Sequence, residues 1–550
     1  MKQSFLRMVH IDFRAQKLRP EVLPGIVRQL KELGYNALLV EYMDSFPYSG
    51  KLATLASPEA FTKEVLTAFL EFCHEIKMEV VPLVQCFGHS YWVLRHPEFE
   101  HLAEGWHENL LDEERVDDWG CTKLHTMCPS NPQVREFWKE SVKQICAMHP
   151  HSTRMHIGGD EIKMPSCPQC QKRLEKASLS DILGSHYLSC GLEVEKLGVS
   201  PMMWADIALA HPETIEMLKD HVTFMDWDYY SNGKPSTNGT VWGLQGLVHK
   251  PDQWPQIFQN YFRPYFYREE PELINPFPYV KALQAAGCKV ILACAARCSP
   301  DSFCIPMPER ITNTEAAVQY AEDAGISGFA ITSWSVRRSP WPLQLYPIIS
   351  AALISQNRSI TRDEIDVCYA QKMFGNPELL LGQLPIYLGN AVKNAVGICP
   401  VLASFNEYSD YKTGLFFGPP YDKTQFYTAR IDYVRRAPER VEAAYSQLQE
   451  AVIETRKRLA LAKPTTAEQK RNLSLWHWAC DVLEFFCQVI TVLTRDIREP
   501  ETLLSWIEKA HIMEEKSRKA LAVLYTPLSI EGGCQSRFGV LIDYLQSCMS

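Results

Sequence analysis

The chain has 550 residues, of which 46% are hydrophobic and 22% are charged, and its formal net charge at pH 7 is −9. These proportions are typical of a folded globular protein, and the length predicts two or three domains. The negative charge is spread along the sequence without a basic block, which excludes the usual nucleic-acid-binding classes.

Eight short apolar runs, separated by amphipathic segments, follow one another from the N-terminus. They are residues 8–13, 37–42, 80–85, 155–159, 202–207, 222–227, 290–295 and 328–333. Between the first two, residues 20–33 have the pattern of a helix that is closed by Gly34. Apolar strands that alternate with helices are typical of a parallel α/β fold, and eight such units predict a (β/α)8 TIM barrel.

Polar and aromatic side chains follow several of these runs. They include Glu41, Gln85, His89, Asp160, Glu161, Trp204, Asp206, Trp227, Tyr229, Tyr230 and Trp334. The C-terminal ends of barrel strands face one cavity, so we expect these side chains to share a pocket. Acids combined with aromatic rings are typical of a sugar-binding site.

The fourth run ends in residues 154–161, which read RMHIGGDE. Its two glycines let the backbone bend sharply where the strand ends, and this bend allows both carboxylates to reach one pocket. Adjacent carboxylates resist being ionised together, so we expect one of them to keep a proton and to act as a general acid. The alternative is an ordinary strand end with an Asp that caps a helix.

The string HIGGDE resembles the His-x-Gly-Gly-Asp-Glu signature of glycoside hydrolase family 20, the β-N-acetylhexosaminidases. Strings at residues 39–48 (LVEYMDSFPY), 82–89 (PLVQCFGH) and 227–229 (WDY) are similar to the hexosaminidase D branch of that family. The resemblance covers roughly residues 5 to 340. It implies a barrel hydrolase in which the acetamido oxygen of the substrate replaces the usual enzyme nucleophile.

Catalytic roles follow from the resemblance. Glu161 would protonate the glycosidic oxygen and later deprotonate the incoming water. Asp160 would accept a hydrogen bond from the acetamido N–H and stabilise an oxazolinium ion. Tyr229, with Tyr230 as the second choice, would donate a hydrogen bond to the acetamido oxygen. These roles imply a retaining exo-β-N-acetylhexosaminidase that acts on terminal, non-reducing amino sugars of a glycoconjugate.

The resemblance also implies a set of substrate-binding residues. Their expected parts are apolar walls (Trp204, Trp227 and Trp334), contacts to ring hydroxyls (Glu41 and Asp228), an orienting group (His89), and further polar contacts (Arg14 and Tyr230). Each tryptophan has core packing as its alternative, and His89 has a structural hydrogen bond.

The segment after the eighth strand departs from the family pattern. Many relatives place a Glu two residues after the strand-end Trp, whereas this chain continues from Trp334 with Ser335 and Val336. The hexosaminidase D branch shares this loss and favours galactosaminides. We therefore expect hydrolysis of terminal β-GalNAc, with β-GlcNAc also accepted.

Eighteen cysteines in a chain of this length indicate reduced thiols, because no export signal is recognisable. Cys167 and Cys170 form a Cys-x-x-Cys pair, which supplies half of a tetrahedral zinc site. Cys121, Cys128 or a histidine are candidates for the other half, and two unliganded loop thiols are the simpler alternative. For catalysis we expect no metal and no cofactor.

Helical periodicity replaces the strand pattern after residue 361. We divide the chain into a catalytic barrel (1–350), a connecting segment (351–425) and an α-helical domain (426–550) that packs on the barrel or forms a homodimer. Residues 251–278, rich in aromatic and proline residues, are expected to form a long loop over the cavity or an interface patch. The aromatic, glycine-rich stretch 406–421 is a candidate to reach a neighbouring active site.

The N-terminal residues lack the apolar core and the cleavage site of a signal peptide. Residues 480–493 are apolar but carry acidic and amide side chains that a membrane-spanning helix disfavours. We therefore expect a cytoplasmic protein without a membrane partner.

Two other functions fit part of the sequence pattern. One is a non-catalytic protein that binds amino sugars or serves as a scaffold on the same barrel. The other is a metal-dependent barrel hydrolase that uses His10, His156, Asp160 and the cysteines.

Overall fold

The structure is a computed structural model. It describes residues 5–14, 16–107, 123–267, 273–298, 301, 307–335, 339–398, 435–493, 495 and 499–549. The stretch 406–421 and Cys121 lie outside the described residues. The described chain divides into two compact units, of which the first comprises residues 1–14, 20–295 and 312–333.

A closed barrel of eight parallel strands in sequential order forms the centre of the first unit, which confirms the predicted (β/α)8 fold. The strands are β1 (Leu6–Asp12), β2 (Ala37–Glu41), β3 (Glu79–Leu83), β4 (Arg154–His156), β5 (Ser200–Trp204), β6 (Thr223–Trp227), β7 (Lys289–Arg297) and β8 (Gly328–Ser333). Strands of this kind are covered on both faces, which explains why every residue of β2 is buried and why the runs lack polar alternation.

The barrel strands alternate with helices, most of them short. They are α1 (Leu23–Glu32), α2 (Lys63–Glu75), α3 (Tyr91–Leu94), α4 (Pro132–Met148), α5 (Pro168–Leu174), α6 (Leu179–Glu195), α7 (Asp206–Ala210), α8 (Glu213–Leu218), α9 (Gln256–Tyr261), α10 (Arg263–Phe266), α11 (Pro278–Ala285) and α12 (Met307–Ala324). Short 3-10 helices cover Pro20–Val22, Met43–Ser45, Gly50–Leu55, Glu100–Leu102, Lys123–His125 and Pro251–Gln253.

The register of the sheet brings four strand ends to one rim. Asp12 pairs with Glu41, Glu41 with Leu83, and Leu83 with His156. Each of these residues is the last of its strand, so the segments that follow β1, β2, β3 and β4 start side by side. This rim is where the sequence pattern places the polar side chains.

β4 ends three residues earlier than the sequence pattern predicts. The run 155–159 reads as a strand because its residues are apolar or small, but regular pairing stops at His156. Gly158 and Gly159 have φ of +66° and +94°, and a strand cannot continue through such angles. The acidic pair therefore lies on a bent loop beyond the strand.

The connection from β6 to β7 contains the stretch 251–278, as the sequence predicts. This long connection is not irregular throughout, because its described residues include the short helices α9 and α10. Aromatic rings pack among themselves there, for example Phe266 against Tyr279 at 4.9 Å between ring centroids.

The second unit comprises residues 15–19, 296–311 and 334–550 and is mainly helical. Its further helices are α13 (Trp341–Gln356), α14 (Arg362–Phe374), α15 (Leu379–Gly382), α16 (Leu384–Ile398), α17 (Pro438–Leu459), α18 (Ala467–Leu493), α19 (Pro500–Leu521), α20 (Pro527–Cys534) and α21 (Val540–Ser547), with a π-helical turn at Gln535–Gly539. The boundaries at 350 and 425 and the homodimer stay predictions. None of the described helices has the length and apolar character that crossing a bilayer requires.

Candidate active site

The loop that follows β4 is fixed by hydrogen bonds to its backbone. His156 Nδ1 accepts from the N–H of Gly158 at 3.0 Å, and Gln85 Oε1 accepts from the N–H of Gly159 at 3.1 Å. The hydroxyl of Tyr187, on α6, donates to the carbonyl oxygen of Gly159 at 2.6 Å. Both glycines are thus held from neighbouring elements of the barrel.

The structure leaves no room for a side chain at either glycine. A Cβ on Gly158 would lie 2.0 Å from Oε1 of Gln85, and one on Gly159 would lie 2.6 Å from the ring of Tyr187. Both residues also have positive φ, which other residues rarely adopt. The Gly-Gly pair is therefore a requirement of this loop.

His89 lies between the two carboxylates that end the loop. Its Nε2 atom is 3.3 Å from Oδ2 of Asp160 and 3.3 Å from Oε2 of Glu161. The side chains of His89 and Asp160 are 6% and 10% exposed, whereas that of Glu161 is 56% exposed. We call these three residues the His89 cluster. Glu161 is the member of this cluster that solvent reaches.

A second histidine, His125, is hydrogen-bonded to the ring of His89. His125 Nε2 is 3.0 Å from Nδ1 of His89. Burial lowers the pKa of His89, but the charges and hydrogen bonds of Asp160 and Glu161 outweigh it and raise that pKa to about 10. Burial and the charge of His89 lower the pKa of His125 to about 3. At neutral pH a cationic His89 therefore donates to both carboxylates and to a neutral His125.

The expected proton on the acidic pair is not retained on Glu161. A hydrogen bond from His89, opposed by partial burial, lowers the pKa of Glu161 below its ordinary value. The sequence argument considered only the repulsion between the two carboxylates and could not include a cation from the segment after β3. Asp206 has the raised pKa instead, mainly because it is buried and also because Asp160 is near. Its Oδ2 accepts from the N–H of Glu161 at 3.0 Å.

A second group of charges lies at the ends of β1 and β2. The Arg14 guanidinium donates to Asp12 at 2.9 Å and lies 3.5 Å from Oε2 of Glu41. Gln85 Nε2 donates to Oε1 of Glu41 at 3.2 Å, and His10 Nε2 lies 3.6 Å from Oε2. We call Asp12, Arg14 and Glu41 the Arg14 cluster. Its side chains are at most 4% exposed.

Aromatic side chains occupy the ends of β5 and β6. Trp204 is 1% exposed and packs on His156, with ring centroids 4.5 Å apart. Trp227 packs on Tyr229 at 5.2 Å and on Trp242 at 4.7 Å. Tyr229 is buried. Tyr230, the second choice for the same role, points into solvent and is 69% exposed.

Asp228 stabilises the turn that follows β6. Its Oδ1 atom accepts from the N–H groups of Tyr230 at 3.0 Å and Ser231 at 2.8 Å. Burial raises its pKa, and these two hydrogen bonds oppose that rise. Asn313 Nδ2 donates to the carbonyl oxygen of Asp228 at 2.9 Å, so the backbone is held as well. Trp334 directly follows β8 and belongs to the second unit.

Sequence reasoning missed one residue of this site, His125, and one contact, that of Asp206. His125 lies in a segment without a recognisable motif, and only the fold brings it to His89. Asp206 is visible at the end of the fifth predicted strand, but its contact with the backbone of Glu161 could not be inferred without the loop conformation.

The residues of the predicted alternative, a metal-dependent hydrolase, do not form one set of metal ligands among the described residues. Among the described residues, none of the sets of three side chains able to hold a metal joins His10 or His156 to Asp160. His10 lies beside Glu41, and Nδ1 of His156 is used by the backbone of Gly158. His89, Asp160 and Glu161 have ligand atoms close together, and the two carboxylates raise the pKa of His89 and favour its protonated ring.

Part of the chain is similar to known proteins. Residues 44–243 match the family described as glycosyl hydrolase family 20, catalytic domain. Hexosaminidase D of Homo sapiens is 30% identical over 213 residues, which are 38% of this chain and 41% of that protein. Hexosaminidase D of Bos taurus is 26% identical over 213 residues, which are 38% of this chain and 57% of that protein. The matched segment thus spans less than two thirds of either relative.

The chain also has a distant likeness to the solved structure of the β-N-acetylhexosaminidase from Bacteroides fragilis NCTC 9343. It is 16% identical, covers 63% of this chain and 64% of its own, and has a TM-score of 0.44. Residues 44–243 of this chain are thus similar to the glycosyl hydrolase family 20 catalytic domain, and 213 residues of the chain are similar to Hexosaminidase D.

Proposed function

We propose that this protein is a retaining exo-β-N-acetylhexosaminidase that removes terminal, non-reducing β-linked GalNAc or GlcNAc from a glycoconjugate. The observation that carries the proposal is the His89 cluster, in which one buried and one exposed carboxylate follow each other on a rigid loop at the barrel rim. No cofactor is required. The matched catalytic-domain family supports the reaction class.

The adjacency of the two carboxylates favours substrate-assisted catalysis. Ordinary retaining glycosidases place an acid and a nucleophile on opposite sides of the scissile bond, about 5 Å apart. Asp160 and Glu161 share a contact with one nitrogen of His89, so they approach a ligand from one side. The acetamido oxygen of the substrate then takes the place of the missing nucleophile.

Glu161 acts as the acid and then as the base. It gives its proton to the glycosidic oxygen while the C–O bond breaks and the acetamido oxygen bonds to the anomeric carbon, which forms an oxazolinium ion. Water, deprotonated by Glu161, then attacks the anomeric carbon from the face opposite the acetamido oxygen and opens the ring of that ion. Because each of the two steps inverts the anomeric carbon, its configuration is retained overall. The free protein holds the pKa of Glu161 low, but a bound sugar would bury this exposed carboxylate and raise its pKa.

Asp160 supports the acetamido group throughout. Its buried carboxylate accepts from the acetamido N–H, which aims the carbonyl oxygen at the anomeric carbon, and its charge stabilises the cationic oxazolinium ion. Tyr229 donates to the acetamido oxygen, with Tyr230 as the second choice.

The remaining residues bind the sugar or hold those that do. Trp204, Trp227 and Trp334 are proposed as the apolar walls. Glu41 is proposed to accept a hydrogen bond from a ring hydroxyl of the sugar. Its carboxylate also contacts Arg14 and Gln85, so the sugar would share it with them.

Asp228 supports this site through the turn that bears Tyr229 and Tyr230. A preference for GalNAc is proposed because the position two residues after Trp334 is Val336 and offers no carboxylate to a ring hydroxyl.

Hydrolysis of aryl glycosides tests the proposal. We expect the pure protein to cleave aryl β-GalNAc faster than aryl β-GlcNAc, and to leave aryl β-galactoside intact because it lacks the acetamido group. Glu161→Gln should lower kcat/KM by about 10² to 10⁴ on substrates with poor leaving groups, and less on activated ones, because only poor leaving groups need the proton. Glu75→Gln, at an exposed position of α2, is the matched control and should leave kcat/KM unchanged.

Two results would contradict the proposal. Equal loss on good and poor leaving groups would contradict the acid role of Glu161. Binding of GalNAc without turnover of any aryl glycoside would favour the alternative of a non-catalytic amino-sugar-binding protein.

A further inference from the structure

A group of potential metal ligands lies in the first unit, apart from the residues assigned to catalysis. It consists of Glu104, Cys128, Cys167 and Cys170, and we call it the thiol cluster. One carboxylate oxygen and the three Sγ atoms all lie within 4.8 Å of one another. Glu104, Cys128 and Cys170 are buried, and Cys167 is half-buried.

The distances within the thiol cluster match the edges of a zinc tetrahedron. Cys128 Sγ lies 3.5 Å from Cys167 Sγ and 3.7 Å from Cys170 Sγ, and Cys170 Sγ lies 3.4 Å from Oε2 of Glu104. Tetrahedral zinc with Zn–S near 2.3 Å and Zn–O near 2.0 Å requires S–S edges of about 3.8 Å and S–O edges of about 3.5 Å. A central ion would fit with little rearrangement.

Two local structures bring the ligands together. Cys167 precedes α5, and its Sγ accepts from the N–H of Cys170 at 3.5 Å, so a tight turn places both sulfurs on one side. Residues 102–104 and 126–128 form a short antiparallel bridge, in which the N–H of Cys128 donates to the carbonyl of Leu102 at 2.8 Å. This bridge places Glu104 beside Cys128.

The two carboxylate oxygens of Glu104 have different partners, as in a carboxylate that binds a metal through one oxygen only. Oε1 accepts from the N–H groups of Ser166 at 2.7 Å and Cys167 at 2.5 Å, while Oε2 faces the sulfurs. Within the described part of the chain, no Lys or Arg side chain forms an ion pair with this fully buried carboxylate. A buried carboxylate beside three thiols is costly unless a cation offsets it. Three thiolates and one carboxylate give a zinc site the same net charge as four cysteine thiolates do.

We propose that Glu104, Cys128, Cys167 and Cys170 bind one structural zinc ion. All four coordination positions are taken by protein, so the site leaves no position for a substrate or an activated water. Its effect is to join two segments, the one between β3 and α4 and the one that follows β4 and includes the first turn of α5. The sequence pattern gave the Cys-x-x-Cys half of the site and named Cys128 among the candidates for the other half. The structure brings Cys128 to that pair and adds Glu104.

The ion would stabilise the neighbourhood of the catalytic loop. The N–H of Lys163, two residues after Glu161, donates to Oγ1 of Thr126 at 2.8 Å. On the same segment, the carbonyl of His125 accepts from the N–H of Ser90 at 2.8 Å. Zinc would thus hold together the two segments that supply Glu161 and His125.

Metal analysis of the full chain tests the proposal without any measurement of hydrolysis. We expect protein that is produced with added zinc and then dialysed to contain about one zinc per chain by mass spectrometry. Cobalt in place of zinc should give thiolate-to-cobalt charge-transfer absorption and the visible bands of a tetrahedral site. A thiol-blocking mercurial should release the ion.

Variants identify the ligands. Cys128→Ser and Cys170→Ser should lose the zinc and melt at a lower temperature, and Glu104→Gln should bind it more weakly. Cys73→Ala, at a buried thiol on α2, is the matched control and should keep one zinc per chain. A wild-type protein that unfolds cooperatively but takes up no zinc would overturn the proposal. Zinc that persists in both folded serine variants would overturn it as well.

Discussion

Two groups of carboxylates at the barrel rim, the Arg14 cluster and the His89 cluster, are each held by one cation, yet they differ in exposure. In the Arg14 cluster both carboxylate side chains are fully buried. In the His89 cluster Asp160 is 10% exposed, while Glu161 is 56% exposed and can be reached by a ligand.

The cations differ as well. The Arg14 guanidinium does not lose its proton in proteins, and its two carboxylates outweigh burial and raise its pKa further. His89 has a pKa of about 10 and depends on its two carboxylates for that value. The positive charge of Arg14 is therefore fixed, whereas His89 can lose its proton when a ligand changes its surroundings. The difference suggests a supporting role for the Arg14 cluster and a proton-transfer role for the His89 cluster.

The largest expected effect comes from Asp160→Asn. The amide keeps the size of the side chain but removes the charge that faces the oxazolinium ion, so we expect kcat/KM on aryl β-GalNAc to fall by about 10³. Asp220→Asn, at an exposed position before β6, is the control and should be neutral. Unchanged kinetics in Asp160→Asn would remove the substrate-assisted mechanism.

Glu41→Gln should mainly change stability. It leaves the buried guanidinium of Arg14 with Asp12 alone, so we expect the free energy of unfolding to fall by about 3 kcal/mol. Urea titration measures this change, with Glu75→Gln as the neutral reference. A Glu41→Gln protein with full stability but a strongly raised KM would instead favour direct sugar binding by Glu41.

His89→Gln should shift the alkaline limb of the pH profile of kcat/KM. A hydrogen bond from His89 is the main cause of the lowered pKa of Glu161, so its loss should raise that pKa. Because Glu161 must carry a proton to act as the acid, the alkaline limb of the kcat/KM profile should then move to higher pH. A limb that stays in place would show that another group sets it.

The same residue makes stability depend on pH. The pKa of His89 is raised from 6.5 to about 10, so its ion pairs stabilise the fold fully below pH 6.5 and less as the pH rises through about 10. The difference in unfolding free energy between wild type and His89→Gln should therefore shrink over that range. A difference that grows with pH would contradict a cationic His89.

Sequence reasoning reached the barrel because each strand is a local apolar run that a simple period reveals. It also reached Asp160, Glu161 and His89, because short strings carry them. It did not reach the length of β4, since the positive φ of Gly158 and Gly159 depends on Gln85 and Tyr187, which are distant in sequence.

Pairings across segments were also beyond the sequence. His125 reaches His89, and Glu104 reaches Cys170, only after the segments that bear them fold onto each other. The lowered pKa of Glu161 has the same origin, because the cation that causes it comes from another strand end. The roles proposed for the site residues, including Asp160, Glu161, Trp334 and Tyr229, stay predictions.

Fluorination of the substrate's acetamido group tests the central claim most directly. Each fluorine added to the acetyl methyl of an aryl β-GalNAc withdraws electrons from the carbonyl oxygen and makes it a poorer nucleophile, while the leaving group stays the same. The proposed mechanism predicts that kcat/KM falls steeply along the series from acetyl to trifluoroacetyl. A series with constant kcat/KM would contradict it, because the carbonyl oxygen would then take no part in breaking the bond.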